Sequence, residues 1–449
     1  MARARDRAAV FDEAVTPTDE SDPESVRASD TPTAPQPLLA SSGPSPIHAA
    51  SEGMLHSLQR YANFRLLFFG TIATNSAFWM YQIAVGWLAL KQTDSPLFVG
   101  LTGFAGGIPI LFLALPSGVI IDRVDRRRVL AAAQVAVMVI STLFAIMVGF
   151  GLIRPWSILL LAFLYGCAMS FVFPTRNAMV PSFVERIHLP NAVALNAAGQ
   201  NATRVVGPSL AGVLIAVIGV AGTFAVAAAM QILALIWTAR MPAVEQVTRQ
   251  TGRLLESFTL GLRVVAKDQF FSGVILLATV STVLVMPYLN LMPVFAQDEM
   301  HLGPQGLGAL MAISGIGSVV GALTVARFRN LPEMPGIQPV TAGAFALAVI
   351  GFALSPWIIL TGALLLVAGV VSAAFMAINQ TALQLRVDDD VRGRVLSIYL
   401  LTWGMLPLGQ LPIGALADQI GAPLATALAG SIALVLMAVI AVRFRSLRT

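Results

Sequence analysis

Charged side chains are scarce in this 449-residue chain, where Asp, Glu, Lys and Arg together make 11% of the residues. Soluble domains carry about 25%. A chain that is 57% hydrophobic, with a mean hydropathy of +0.79, cannot cover a globular surface with polar groups. Part of its solvent must therefore be lipid, and the lipid bilayer is its first expected partner. Lysine is nearly missing: Lys91 and Lys267 stand alone, and neither follows a Gly-x4-Gly spacing. That excludes a phosphate-binding loop and an ATPase of that type. The single cysteine, Cys167, excludes a disulfide framework and a thiolate metal cluster. Four histidines, His48, His56, His188 and His301, are scattered without ligand spacing, so neither a metal nor a cofactor is expected.

A further absence bears on energetics. No Asp, Glu or His falls in the middle of any long apolar run. Proton-coupled membrane proteins usually place such a group there. If protons drive this molecule, the titrating group must sit at a helix end.

Twelve apolar segments are long enough to cross a ~30 Å hydrocarbon core. They run approximately over 65–90, 97–121, 129–151, 156–182, 193–218, 221–240, 270–296, 305–327, 337–355, 357–384, 395–417 and 422–443. Short links make neighbours antiparallel. Residues 1–55, rich in Pro, Ser, Asp and Glu, are expected to be a disordered cytoplasmic tail. The basic start "MARARDRAAV" has no apolar stretch and does not resemble a secretory signal. A polar stretch over 241–269 is expected as a cytoplasmic linker, dividing a six-helix unit over 56–240 from another over 270–449.

The arginines fix the expected orientation. With both termini inside a cell (inner) membrane, the cytoplasmic side receives Arg123, Arg126, Arg127, Arg128, Arg186, Arg240, Arg327, Arg386, Arg392, Arg394 and Arg443, among others. The outer loops receive only Lys91 and Arg154, which is the positive-inside pattern. This placement accounts for the basic balance of +5 without a nucleic-acid partner. The halves also echo each other: "GPSLAGVLIAVIG" (207–219) aligns with "GQLPIGALADQIG" (409–421), and Gly-x3-Gly occurs at Gly103/Gly107 and Gly317/Gly321. Small residues at that spacing let helix backbones approach closely.

After the second apolar run stands "GVIIDRVDRRRVL", Gly118 to Leu130. It resembles the major facilitator superfamily, whose loop at this place reads Gly-x-Leu-Ala-Asp-Arg-x-Gly-Arg-Lys. Gly118, Asp122, Arg123, Arg126 and Arg127 fall on the glycine, acidic and basic positions of that loop, while Asp125 replaces its second glycine. "NFRLLFFG" (63–70), "LPNAVALN" (189–196) and "VRGRVLSIY" (391–399) resemble the enterobactin-exporter and macrolide-efflux branch. The resemblance implies an all-α membrane protein of twelve transmembrane helices in two pseudo-symmetric six-helix bundles. It also implies a transporter rather than an enzyme, exporting a lipophilic or amphipathic small molecule (drug or siderophore-like) by proton antiport. An importer, a lipid flippase or a non-transporting receptor on the same scaffold are the alternatives. A monomer is the expected assembly.

Candidate site residues follow. Asp122, at a helix end, can accept from the N-terminal amides of another helix. With Arg123, Arg126, Arg127 and the Arg394 region it is a candidate cytoplasmic gate; the alternative is that the arginines only obey the charge rule. In the fifth span Asn196, Gln200 and Arg204 repeat every four residues and share one face. Arg204 either snorkels to the cytoplasmic boundary as a structural residue or lines a cavity. Gly207 and Pro208, with Gly212, resemble the superfamily's antiporter motif; they bend the helix or simply permit close packing. Asn75, Trp79 and Gln82 share a face of the first span. Tyr288 and Asn290 lie in "MPYLNLMP", where Pro287 and Pro293 interrupt the seventh, and Tyr399 and Trp403 lie one turn apart in the eleventh. These are candidates for an aromatic-and-amide substrate cavity, with interhelical hydrogen bonding as the plainer role of each.

Overall fold

A computed structural model describes residues 55–243, 254–328 and 330–448. The expected tail over 1–55 therefore lies, but for its last residue, outside the described residues. The same holds for 244–253 of the expected linker.

The described chain is almost wholly helical. The elements of the first half are α1 (His56–Arg60), α2 (Ala62–Thr93), α3 (Pro96–Arg123), α4 (Arg126–Gly149), α5 (Pro155–Met179) and α6 (Leu189–Arg240). Those of the second are α7 (Leu254–Lys267), α8 (Gln269–Val280), the short α9 (Met292–Val294), α10 (Gly303–Arg327), α11 (Ile337–Leu354), α12 (Ile358–Arg386), α13 (Asp389–Gly404), α14 (Leu406–Ile420) and α15 (Ala422–Arg443). Side-chain caps start several of them. The Ser95 hydroxyl accepts from the Phe98 amide ahead of α3, Asp125 from the Arg127 amide ahead of α4, and Asp268 from Phe270 and Phe271 ahead of α8.

Among the described residues, ten helical segments are long and apolar enough to cross a membrane. One is too long for a single crossing. At 1.5 Å per residue, the 52 residues of α6 would span roughly 78 Å, over twice the hydrocarbon core. It folds back at Gly219, whose φ of 73° and ψ of 176° only glycine adopts without strain. Gly421, its partner in the sequence repeat, does the same between α14 and α15 with φ 85° and ψ 152°. The 32-residue α2 is ample in length, although Asn75, Gln82 and several Thr and Ser residues make it more polar than those ten.

The chain passes six times through each half when α6 is counted as two legs, α13 with α14 as one, and 269–299 as one. That last leg is broken as Pro287 and Pro293 require: α8 loosens into a π turn over Ser281–Val285 and tightens to a 3-10 turn over Met286–Leu289. Large apolar side chains such as Val217, Leu323, Ile359, Val435 and Val442 lie exposed on the outside of the helices, as a lipid-facing surface requires. Part of the expected linker lies among the described residues. It contains α7, whose Gly261 packs against Ile398 and Arg394 of α13.

Candidate functional site

The arginine-rich ends of the legs, at Arg123, Arg240, Arg327, Arg386 and Arg443, form what we term the basic end; Asp94, Asp298 and Asp418 mark the far end. The two halves meet along two seams, α3 with α14 and α6 with α10. Glycine builds both. A methyl group on Gly100 would stand 2.6 Å from the Gln410 carbonyl oxygen and 2.9 Å from Gly414 Cα. One on Gly212 would stand 2.6 Å from Gly308 Cα and 2.7 Å from the Pro304 carbonyl oxygen. The aligned glycines 212 and 414 thus do the same work on opposite flanks.

Both seams belong to the far half of the molecule. Contact between α3 and the second half runs from Pro96 through Gly103 and Gly107 to Leu111, which meets Gly404; Gly118, farther along α3, has nothing within 4 Å. On the other flank the glycine contacts run from Gly212 with Gly308 to Gly315, which meets Arg204 and Val205. Hydrogen bonds between the halves also lie at the far end. Asp418 accepts from the Ser95 hydroxyl at 2.6 Å and from the Leu97 amide at 3.4 Å, and Asn290 donates to the Val99 carbonyl at 3.1 Å. Asp418 thereby caps a helix of the opposite half, favoured by its N-terminal dipole.

At the basic end, among the described residues, no ion pair joins Asp122 to Arg394. Asp122 pairs with Arg126 at 3.7 Å on its own side. Arg126 donates to the Ala178 carbonyl and Arg127 to the Ala239 carbonyl, so both tie α4 to neighbours within the first half. Arg394 lies against Gly261 of α7. Arg123 is exposed at the end of α3.

The polar stripe of α6 faces the interior. Gly207 packs on Trp79, where a methyl group would come within 2.6 Å of its Cβ. One turn toward the basic end, Arg204 sets its guanidinium carbon 5.9 Å from the Trp79 ring centroid, and its backbone touches Gly315 of the other half. Trp79 and Gly315 lie near the middles of their helices, so this guanidinium sits at mid-depth and does not reach for the basic end. Tyr288 of the second half is buried and hydrogen-bonded to Ser314, one residue along α10 from the Gly315 that meets Arg204. Gln200 is half-buried; Asn196 is buried with its carbonyl oxygen unpartnered among the described residues. Asn75 is buried on α2, while Gln82 is exposed one turn from Gly86, which touches Pro293 across the interface. Pro208 lies within helical α6, whose non-helical residue is Gly219, so the Gly-Pro pair packs closely without breaking the helix there.

Tyr399 and Trp403 serve a second feature. They line a small open pocket within the second half, together with Ser281, Thr282, Met286 and Met376. Tyr399 is held by a bond to the Met376 carbonyl. The structure thus sets Arg204 on Trp79, holds Tyr288 on Ser314 beside the Gly315 that meets Arg204, puts Tyr399 and Trp403 in a pocket of the second half, and assigns Asn290 to the far-end closure.

Residues 56–449 match the family described as transmembrane secretion effector. The chain belongs to this family of the major facilitator superfamily. The Staphyloferrin A transporter of Staphylococcus aureus is 24% identical over 351 residues, covering 76% of this chain and 86% of that one. The multidrug efflux pump Tap of Mycolicibacterium fortuitum is 28% identical over 404 residues, covering 85% and 96%. Among solved structures, a bacterial homolog of the human lysosomal transporter Spinster superposes with a TM-score of 0.66 at 14% identity, covering 86% of this chain and 99% of that one. That likeness supports the major facilitator fold.

Sequence reasoning missed three residues of this family member. Asp418 and Ser95 join across 323 positions, beyond any local pattern. Arg176, only 2% exposed, donates to the Thr71 and Thr74 hydroxyls and the Leu67 carbonyl, clamping α5 to α2. Its signal was an arginine inside the apolar run 156–182 that the basic-end pattern does not require.

Proposed function

We propose that this protein is a secondary transporter that exports a lipophilic or amphipathic small molecule by alternating access between its two six-helix halves. The basic end is read as cytoplasmic by the positive-inside rule, and the twelve legs as twelve crossings of the cell membrane. The observation that carries the reading is the one-sided closure. Glycine seams and the Asp418 cap seal the far half, whereas a methyl group on Gly118, toward the basic end of α3, would meet nothing within 4 Å. On this reading the structure is the inward-facing state, ready to accept cargo from the cytoplasm. The relatives named for staphyloferrin A transport and for multidrug efflux support export and an amphipathic cargo. Small residues at the seams suit surfaces that must separate, because they present no side chains that interlock.

Proton antiport is the coupling we adopt, carried at a helix end, since the legs carry no Asp, Glu or His at mid-depth. The protein acts as a monomer, each chain holding a complete path. The test is flux of an amphipathic dye into liposomes containing the purified protein, with and without an imposed proton gradient. Flux accelerated by the gradient is expected. Flux indifferent to it removes the coupling, and saturable binding without flux would replace the transporter by a receptor.

A further inference from the structure

The interior of this molecule is electrostatically one-sided. Away from their ends, the legs carry no Asp, Glu or His, yet two guanidinium groups lie inside the first half, those of Arg176 and Arg204. Arg176 is spoken for: it is sealed from solvent and donates to three oxygens of α2. Arg204 differs. It is partly exposed at mid-depth between the halves, and among the described residues it has no carboxylate and no hydrogen-bond acceptor; its contact is the Trp79 face. An unneutralised cation in a low-dielectric site is costly and attracts an anion strongly.

The opposite wall shows what accompanies that anion. Met286 and Tyr288 belong to one tight turn of the broken leg; Tyr288 is hydrogen-bonded to Ser314, next to the Gly315 that meets the Arg204 backbone, while Met286 opens into the second-half pocket. That pocket is lined by Met376, Phe375 and Trp403, with the Ser281 and Thr402 hydroxyls and no charged side chain. A ligand spanning both features has an anionic head at Arg204 and a flat or flexible apolar body among methionine and aromatic side chains.

Resting on the reading of this interior as the substrate path, we infer that the site selects amphipathic carboxylates. Cationic amphiphiles are disfavoured, because they meet Arg204 as a like charge and find no acid to pair with. The arginines at the basic end act in the same direction, raising the local concentration of anions at the entrance.

Three probes sharing one aromatic body test this: 1-pyrenebutanoate, its methyl ester and 1-pyrenebutylamine. Each is titrated against the purified full-length protein in a neutral detergent, with binding read from quenching of tryptophan fluorescence. The carboxylate is expected to bind about tenfold or more tightly than the amine, as a charge-assisted hydrogen bond allows. Arg204→Gln should weaken the carboxylate by about tenfold and leave the ester within about twofold, with Arg204→Lys recovering part of the loss. The ranking of the probes on the unaltered protein needs no variant to fold. The inference is overturned if the amine binds as tightly as the carboxylate, if the carboxylate does not bind, or if Arg204→Gln weakens the ester equally. Flux of the same probes into liposomes separates it from the export reading. Charge-blind flux removes the anion selectivity and keeps export; Arg204-dependent binding without flux keeps the anion site and removes export.

Discussion

Replacing Gly100 by alanine tests the one-sided closure directly. The added methyl group would lie 2.6 Å from the Gln410 carbonyl oxygen and 2.9 Å from Gly414 Cα. Comfortable carbon contacts need about 3.5–4.0 Å. Both obstacles are backbone atoms, which cannot swing aside as a side chain could, so α3 and α14 must part by about 1 Å at the seam. Overpacking of this kind costs about 1–3 kcal/mol. The cost falls only on the state in which the far end is shut, so the equilibrium shifts toward the opposite state by about 5- to 150-fold. Val99, 1% exposed beside the seam, reports it. In a Cys167→Ser background carrying Val99→Cys, a membrane-impermeant maleimide is added to intact cells and the labelling rate measured. Gly100→Ala should raise that rate at least about fivefold. Gly212→Ala, 2.6 Å from Gly308 Cα on the other flank, should do likewise. Gly118→Ala is the control, because nothing lies within 4 Å of it. Labelling unchanged in both seam variants, or raised equally by Gly118→Ala, would refute the reasoning.

Asp418→Ala removes the cap on α3 and should raise the same labelling rate about two- to fivefold, since one exposed cap is worth about 0.5–1 kcal/mol. Arg176→Met replaces a buried, acid-free cation by an apolar chain of similar reach. Its Thr71 partner keeps a bond to the Leu67 carbonyl, so the variant should retain or raise the temperature at which the detergent-solubilised protein loses monodispersity, while Arg176→Glu should abolish assembly. Gly219→Ala and Gly421→Ala force a side chain into backbone geometry reserved for glycine and should each destabilise by about 1–3 kcal/mol, seen as earlier thermal aggregation. Ser372 on α12 also lines the second-half pocket; Ser372→Phe fills it and should weaken all three pyrene probes by about tenfold regardless of their charge, measured by the same fluorescence titration.

Much of the architecture was legible in the chain because lipid imposes a simple code. Apolar length marks the legs, arginine placement marks one end, and the paired glycines 219 and 421 mark equivalent turns. The loop from Gly118 to Arg127 led to the superfamily that the match over 56–449 shows. What escaped was whatever depends on partners distant in sequence. The two Gly-x3-Gly pairs read alike, yet Gly103 and Gly107 face Gln410 and Pro407 of the other half, whereas Gly317 and Gly321 lie against the Leu366 and Val370 carbonyls of their own. Spacing fixes which face is smooth, and only the packing decides what lies on it. Arg204 shows the same limit: its depth left both a snorkelling and an interior placement open, and the Trp79 ring decides between them. The linker read as polar, and α7 within it emerges as a helix through its contact with α13.

The inner limits of the two seams carry a mechanical consequence. On one flank the innermost glycine contact is Gly404 with Leu111, and on the other Gly315 with Val205. A line through these two pairs is a fulcrum. From Leu111 to the far tip of α3 is 15 residues, a lever arm of roughly 22 Å. A rock of about 10° therefore moves that tip by about 4 Å, enough to part the glycine contacts while the pivot pairs stay touching. The same tilt swings the free basic arm of α3 inward by a comparable distance. One rigid motion thus trades an entrance for an exit, and tethering the molecule at its pivot should leave it free to cycle while tethering it at Gly100 and Gly414 arrests it.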